Sequence, residues 1–357
     1  MKKRPALVTG GCGFVGRHLV KGLLGRGTTE IWIVDDLSTG RTPDRWLSKE
    51  WKKKKTKNVI RYTKGKKCIN LIKADAMRFF HDMALSKKSG PLPPFGDVFH
   101  LASIVGGRSL IEGDPILVAK DLAIDSAFFL WITRERKRVG RVMYASSSAA
   151  YPIHLQGKKG ALALSEKHID FRPGAFGVPD LTYGWSKLTG EFLARLAHQK
   201  YGIHIASVRP FSGYGEDQDL TYPTPSIAMR VARGDDPIEV WGTGEQARDF
   251  VHIDDCVDAF FVILDHVHDG RGVNIGSGIS TSFNQLIGHM LEIERRDAQI
   301  KPLSDKPVGV ANRYADTAHL FKKIGWKPKI PLKKGLARVL QGVRARLAGN
   351  DLPFLIS

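Results

Sequence analysis

The chain has 357 residues, 42% hydrophobic and 25% charged, enough for one large domain or two that share a core, and too apolar for disorder. No apolar run approaches the eighteen or so residues that a membrane-spanning helix needs. The formal net charge is +19, which favours anionic ligands, and the three cysteines (Cys12, Cys68, Cys256) lie too far apart for a metal motif and are expected to be free thiols.

The basic start, Met1-Lys2-Lys3-Arg4-Pro5, is followed by only Ala6-Leu7-Val8 before glycines, which is too short for a secretion signal. A first strand over 6–10 and a cytoplasmic protein are expected instead. Further strands read at 31–36, 69–75, 97–103, 141–148 and 203–210, with helical stretches at 14–24, 78–85, 115–136 and from about 183. Nearly continuous apolar strands separated by helices predict an α/β fold, a doubly wound parallel sheet of the Rossmann type. After Arg209 the alternation breaks in PFSGYGEDQDLTYPTP. The expected division is a dinucleotide-binding domain over 1–208, completed by 246–278, and a smaller lobe over 209–245 and 279–357 ending in a basic helix at 332–347. Residues 49–67 hold ten Lys/Arg and one acid. This stretch reads as a solvated surface insertion, and its few aromatics argue against nucleic acid.

The segment ALVTGGCGFVGRHLVKGLL sets Gly10, Gly13 and Gly16 between a strand and a helix. Small residues there let the backbone approach a pyrophosphate at the helix N-terminus. Asp35 ends the second strand, where a carboxylate accepts from ribose hydroxyls and repels a 2′-phosphate, favouring NAD over NADP. Asp36 is the alternative holder of that role. Asp75 ends the third strand and suits either an adenine contact or a helix cap. Phe14, Val15, Ser38, Gly40, Ala76, Leu101 and Ala102 complete the candidate cofactor set.

Two further segments carry chemistry: Tyr144-Ala145-Ser146-Ser147-Ser148 and Tyr183-Gly184-Trp185-Ser186-Lys187. Tyr183 and Lys187, four apart at a helix start, share one face. An ammonium beside a phenol favours the phenolate. A phenolate can take a proton from a hydroxyl while hydride leaves the same carbon, and a serine can hydrogen-bond that hydroxyl.

With TGGCGFVG, VDDLSTG, HLAS, YASSSAAYP, YGWSK, RPFSGYG, WGTGEQARDFVHIDDC, KPVGVANRYAD and KKIGWKP, the chain resembles the extended short-chain dehydrogenase/reductases that modify nucleotide sugars. The resemblance implies an NAD-binding domain, a C-terminal substrate lobe, a nucleotide-diphosphate sugar as substrate and no metal. It also implies a homodimer through the helices near 115–136 and 183–200. It makes Tyr183 the base and Lys187 its partner. Ser147, four residues before Tyr151, matches the assisting hydroxyl, with Ser148 a rival. Arg248 matches an arginine that grips the diphosphate, and Arg313 a second. Ser212 stands where the family carries a substrate-contacting asparagine. Arg108, in IVGGRSLIEGDP, is a candidate to face the sugar; the glucuronate epimerases and some dehydratases that the chain resembles have an arginine in this neighbourhood, a hint of an anionic sugar.

The departures narrow the reaction. The 4,6-dehydratases resembled carry an acid pair where Ser148 and Ala149 stand, and the decarboxylases a glutamate at Ala149. YASSSAAYP, WGTGEQARDF and GVANRYAD are similar to GDP-mannose 3,5-epimerases, which use a cysteine at the Ala149 position and a lysine elsewhere. EDQDLTYPTP has no lysine. The remaining reaction needs only Tyr183, a serine and NAD: epimerisation at C4 through a transient 4-keto sugar. A 3,5-epimerase or another epimerase/dehydratase is the alternative. From a different class, a dinucleotide-binding sensor or scaffold stays open, and the intact Tyr183–Lys187 pair argues against it.

Overall fold

A strand that is apolar at every position is stable only when both of its faces are covered. The computed structural model, which describes residues 4–86, 92–157, 161–175, 177–349 and 356, covers them with helices. The basic residues 1–3 lie outside the described residues. The first part of the chain runs β1 (Ala6–Thr9), α1 (Phe14–Gly25), β2 (Glu30–Asp35), β3 (Lys52–Lys55), β4 (Ile60–Lys64), β5 (Lys67–Lys73), α2 (Ala76–Leu85) and β6 (Phe95–His100). It continues through α3 (Arg108–Gly113), α4 (Pro115–Val118), α5 (Lys120–Arg134), β7 (Val139–Ala145), α6 (Leu181–Tyr201) and β8 (His204–Pro210). The second part runs β9 (Ser212–Tyr214), α7 (Pro223–Arg233), β10 (Ile238–Trp241), β11 (Ala247–Arg248), β12 (Phe250–His252), α8 (Ile253–His266) and β13 (Asp269–Ile275). It ends with β14 (Thr281–Ser282), α9 (Phe283–Glu294), β15 (Ile300–Leu303), β16 (Asn312–Arg313) and α10 (Leu332–Leu347).

One nine-stranded sheet has the order β13-β8-β7-β6-β1-β2-β5-β4-β3. The seven strands from β13 to β5 are parallel. From β1 the chain winds to β2 and β5 on one side, and from β6 to β7, β8 and β13 on the other. This is the doubly wound α/β fold, with its reversal between β1 and β6. Val8, Ile31 and Ile33 cluster with Leu19, Leu23, Val257 and Phe260 of α1 and α8. Their neighbours Leu7, Val34, Val98 and Val142 cluster with Phe80, Phe128, Trp131 and Ala194 of α2, α5 and α6.

A second core joins Ile227, Leu286, Met290, Leu336 and Leu340 from α7, α9 and α10. The span 246–278 does not go as a unit to the large sheet. Strand β13 joins it, whereas Ala247 and Arg248 pair with β14 and β16. Nor does 279–357 stay in the lobe, because Leu320 and Trp326 pack into the larger core and Ile356 bridges to Leu47.

The lysine-rich stretch is built into the sheet rather than inserted on it. Strands β3 and β4 run antiparallel and prolong the sheet beyond β5. Trp51 and Tyr62 are buried beneath them, while Lys52–Lys55 are all exposed. An edge strand with charged side chains on both faces has no polar–apolar alternation to betray it. All three cysteines are free and buried.

A charged cluster joins α1 to the segment after β9. Buried His18 contacts Asp217 through Nε2 at 2.8 Å and Asp254 through Nδ1 at 3.2 Å. Arg17 donates to Asp217 at 2.7 Å and to the Cys12 carbonyl at 3.0 Å. Burial alone would lower the His18 pKa, but hydrogen bonds to both carboxylates more than offset it and raise it above the ordinary 6.5. Asp217, despite burial, is held down to about 2 by His18 and Arg17.

A raised histidine stabilises the fold fully below its unfolded pKa, and that contribution is lost as pH rises through the folded value. The carboxylate contribution is lost only in acid. Tm is therefore expected to fall as pH rises above about 6.5, and His18→Gln to flatten that fall in melts between pH 5 and 9. Equal slopes for both proteins would remove His18 as the cause.

Candidate active site

The loops that leave adjacent parallel strands lie along one edge of the sheet. Gly10–Gly16 follows β1, Asp35–Gly40 follows β2, Asp75 and Ala76 follow β5, and Leu101 and Ala102 follow β6. Ser146–Ser148 follows β7 and Ser212 follows β8. The cofactor candidates thus occupy the crevice at the strand-order reversal, where open α/β sheets bind ligands.

Two glycines shape this crevice. Gly10 has a φ of +67°, and a Cβ there would sit 2.9 Å from the Ala102 nitrogen. A Cβ on Gly16 would strike the Gly10 carbonyl oxygen. Without side chains the loop lies flat against the start of α1, where Phe14 and Val15 are half-buried. Asp35 is buried and accepts from the Cys12 amide at 2.9 Å and the Leu37 amide at 2.8 Å. Burial raises its pKa, and those amides oppose the rise. Gly40 packs against it, since a Cβ there would meet Asp35 Oδ1 at 2.9 Å. Asp36 is exposed and accepts from the Ser38 amide and hydroxyl at 2.9 and 2.7 Å. Asp75 caps α2 through the Arg78 amide at 3.1 Å and pairs with Lys120 at 2.6 Å.

Tyr183 is half-buried in the first turn of α6, and Lys187 is buried one turn later. The ammonium lies 5.5 Å from the Tyr183 ring centre and 5.7 Å from that of Tyr144. Burial would lower the Lys187 pKa, but Tyr183, Asp121 and Asp125 more than offset this and raise it. The two aspartates extend a network. Asp121 accepts from the Ser103 hydroxyl and the Ile104 amide, both at 2.5 Å. Asp125 accepts from Tyr144 at 2.5 Å and contacts His100 Nε2 at 3.1 Å. His100 Nδ1 lies 2.8 Å from the Thr9 hydroxyl oxygen, which accepts from the Leu101 and Ala102 amides at 3.1 and 3.0 Å. Sequence reasoning missed this network. Its one local signal is two acids four apart in the otherwise apolar face of DLAIDSAFF.

The three serines separate. Ser146 is buried and donates to Glu191 at 2.5 Å, and Glu191 forms a fully buried pair with Arg209. Ser147 accepts from the Ala149 amide at 3.1 Å, which leaves its own proton to donate. Ser148 makes no side-chain hydrogen bond among the described residues. The Ala149 carbonyl accepts from the Asp180 amide at 3.0 Å, and a Cβ on Gly184 would strike that carbonyl. This close approach sets the start of α6, with Tyr183, against the serine turn.

The arginines form one cluster. Arg248 and Arg313 are register partners in β11 and β16. Arg313 donates to Gln156 at 2.5 Å and to Asp180 at 2.7 Å. Arg108 donates to both Asp180 oxygens at 2.9 and 3.0 Å and also pairs with Glu112. Arg248 reaches only the Ala247 and Val308 carbonyls, at 2.8 and 3.0 Å, and no carboxylate among the described residues. Burial, followed by repulsion from Arg313, pushes its pKa down to about 9. Ser212 is half-buried in β9, its amide bound to the Asp249 carbonyl at 2.9 Å, and no hydrogen bond links it to the arginines.

A dinucleotide cradle at the reversal of the sheet, with a Tyr–Lys helix beside it, defines an enzyme of the short-chain dehydrogenase/reductase type. The chain belongs to the NAD dependent epimerase/dehydratase family, whose model matches residues 6–276. NAD is the cofactor, and the lack of a side chain at Gly10 and at Gly16 fits a pyrophosphate lying against the loop. A putative UDP-glucose 4-epimerase of Methanocaldococcus jannaschii is 29% identical, covering 95% of this chain and 98% of that protein. GDP-mannose 3,5-epimerase 1 of Oryza sativa is 30% identical over 67% of this chain and 62% of its own length. Among solved structures, the UDP-glucose 4-epimerase of Thermotoga maritima with UDP-glucose shares the fold. Its TM-score is 0.75 at 23% identity, covering 96% of this chain and 99% of that one.

An unpaired buried cation is a burden on the empty fold, whereas removing one partner of a buried pair leaves the other uncompensated. Arg248→Met is therefore expected to leave Tm unchanged or higher in the absence of ligand. Arg313→Met, which strips Gln156 and Asp180 of a donor, is expected to cost about 1–3 kcal/mol. Scanning fluorimetry of the two variants checks this, and a large loss at Arg248 would make it a structural residue.

Proposed function

We propose that this chain is a nucleotide-sugar 4-epimerase that inverts C4 of a nucleotide-diphosphate sugar through a transient 4-keto sugar. The observation that carries the reading is a site with one proton-transferring pair, Tyr183 and Lys187, beside a turn whose neighbouring position is Ala149. Bound NAD supplies the acceptor and donor of the C4 hydride. Asp35 would hold the adenosine ribose, and the loop from Gly10 to Gly16 would take the pyrophosphate. Tyr183, kept beside the Lys187 ammonium, takes the proton of the C4 hydroxyl and later returns it. Ser147, whose oxygen is oriented by the Ala149 amide, donates to the same sugar oxygen, and the Ser148 hydroxyl next to it has no partner among the described residues. Arg248, which has no carboxylate partner among the described residues, supplies a cation for the diphosphate, with Arg313 beside it. Ala149 has no group to protonate a neighbouring carbon, which disfavours dehydration and 3,5-epimerisation.

The test is to incubate the protein and NAD with UDP-, GDP-, CDP- and dTDP-sugars in deuterated water. A product inverted at C4 and free of deuterium on carbon is expected. Deuterium at C3 and C5 would favour the 3,5-epimerase, and a 6-deoxy-4-keto product a dehydratase. Tyr183→Phe is expected to slow turnover by about 10²–10⁴-fold while sugar-nucleotide binding remains.

The same reading includes a homodimer through α4, α5 and α6. Its support is the set of exposed apolar side chains on these helices: Ile116, Leu122, Leu130, Trp185 and Phe192. In size-exclusion chromatography the chain is expected to elute as a dimer, and a Leu130→Glu, Phe192→Glu variant as a monomer.

A further inference from the structure

We propose that Asp180 is a specificity-determining residue that restricts the sugar pocket to a neutral sugar, an inference that rests on the 4-epimerase reading. Asp180 immediately precedes α6, three positions before Tyr183, and its side chain is 8% exposed. It takes two hydrogen bonds from Arg108 and one from Arg313. Arg313 is close enough to Tyr183 for the charges of the two to interact. The Arg108 and Arg313 guanidiniums beside Asp180 are thus already neutralised from within the protein.

The charge balance of the cluster points the same way. Arg108, Arg248 and Arg313 contribute three positive charges, and Asp180 and Glu112 remove two. The remaining positive charge is that of Arg248, which has no carboxylate partner among the described residues. A sugar diphosphate, with about two negative charges, more than consumes it. Among the described residues of this cluster, a carboxylate on the sugar would have no guanidinium left without a carboxylate partner to meet, and it would face the buried Asp180 carboxylate. The pKa of Asp180, which burial would raise, is lowered by Arg313 and Arg108, so the opposing charge persists at any working pH. A neutral sugar meets a different surface. A carboxylate has about four acceptor positions. Three on Asp180 are filled by guanidiniums, and one is left for a sugar hydroxyl.

The experiment compares UDP-glucose with UDP-glucuronic acid on the NAD-loaded protein, as kcat/KM and as Kd by calorimetry. The wild type is expected to prefer UDP-glucose at least about tenfold. Asp180→Asn keeps the shape, removes the charge and leaves Arg313 without that carboxylate, while Arg108 keeps Glu112. It is expected to shrink that preference at least about tenfold by strengthening uronate binding, and Asp180→Glu to retain the preference. A wild type that handles the uronate as well as glucose overturns the inference, as does an unchanged ratio in Asp180→Asn. If the protein binds UDP-glucose selectively but inverts neither sugar, the 4-epimerase reading falls and the neutral-sugar selectivity stands. Equal Kd values, including no binding of either, overturn it.

Discussion

The rest of the site depends on one ammonium group kept charged where water is scarce. Burial works against a charged lysine. At Lys187 that penalty is met by Asp121 and Asp125, one turn apart on α5, and by Tyr183 on its own helix. Each aspartate needs partners in turn, and those partners lie on other elements. Asp121 fixes the loop after β6 through Ser103 and Ile104, and Asp125 draws in Tyr144 of β7 and His100 of β6. Burial lowers the His100 pKa, so the ring is neutral, accepts from Thr9 of β1 and donates to Asp125. Thr9 holds the Leu101 and Ala102 amides. A single charge therefore registers the cofactor crevice against the helix that carries Tyr183.

A second buried charge system divides the serines. Glu191 and Arg209 neutralise one another out of contact with water, and Glu191 takes the Ser146 hydroxyl. That turns Ser146 inward and leaves Ser147 and Ser148 at the turn beside α6. In the lobe, buried Asp249 plays the same part. It accepts from Ser277 at 2.7 and 2.6 Å, Gly278 at 2.9 Å and Ala315 at 3.1 Å. This fixes the chain on either side of β11 and β16, and so the spacing of Arg248 and Arg313.

What the sequence made legible was local or repeated. The glycine loop, the apolar strands, helix α10 and the Tyr183–Lys187 spacing all report on residues near one another in the chain. Strand β3 was illegible because Lys52–Lys55 carry no periodicity, although Trp51 and Tyr62 beneath them are core. Asp180 looked like an ordinary residue before a helix. Its role as a shared counter-ion needs Arg108, 72 positions away, and Arg313, 133 positions away. The three serines were likewise indistinguishable until Glu191 and the Ala149 amide each claimed one. Arg248 and Arg313 read as a matched pair, and only their surroundings separate them: Arg313 has a carboxylate, while Arg248 has none among the described residues.

The lysine strand at the sheet margin has a consequence for the protein in crowded solution. A sheet that ended on β4 or β5 would offer an open row of amides and carbonyls over an apolar underside, a template on which a second copy could add its own strand. Four adjacent ammonium groups on β3 make that union a meeting of like charges. The sheet is thereby closed electrostatically at this margin rather than covered by another element. Such closure weakens as salt shortens the range of the repulsion, so ionic strength governs how strongly these margins hold one another off.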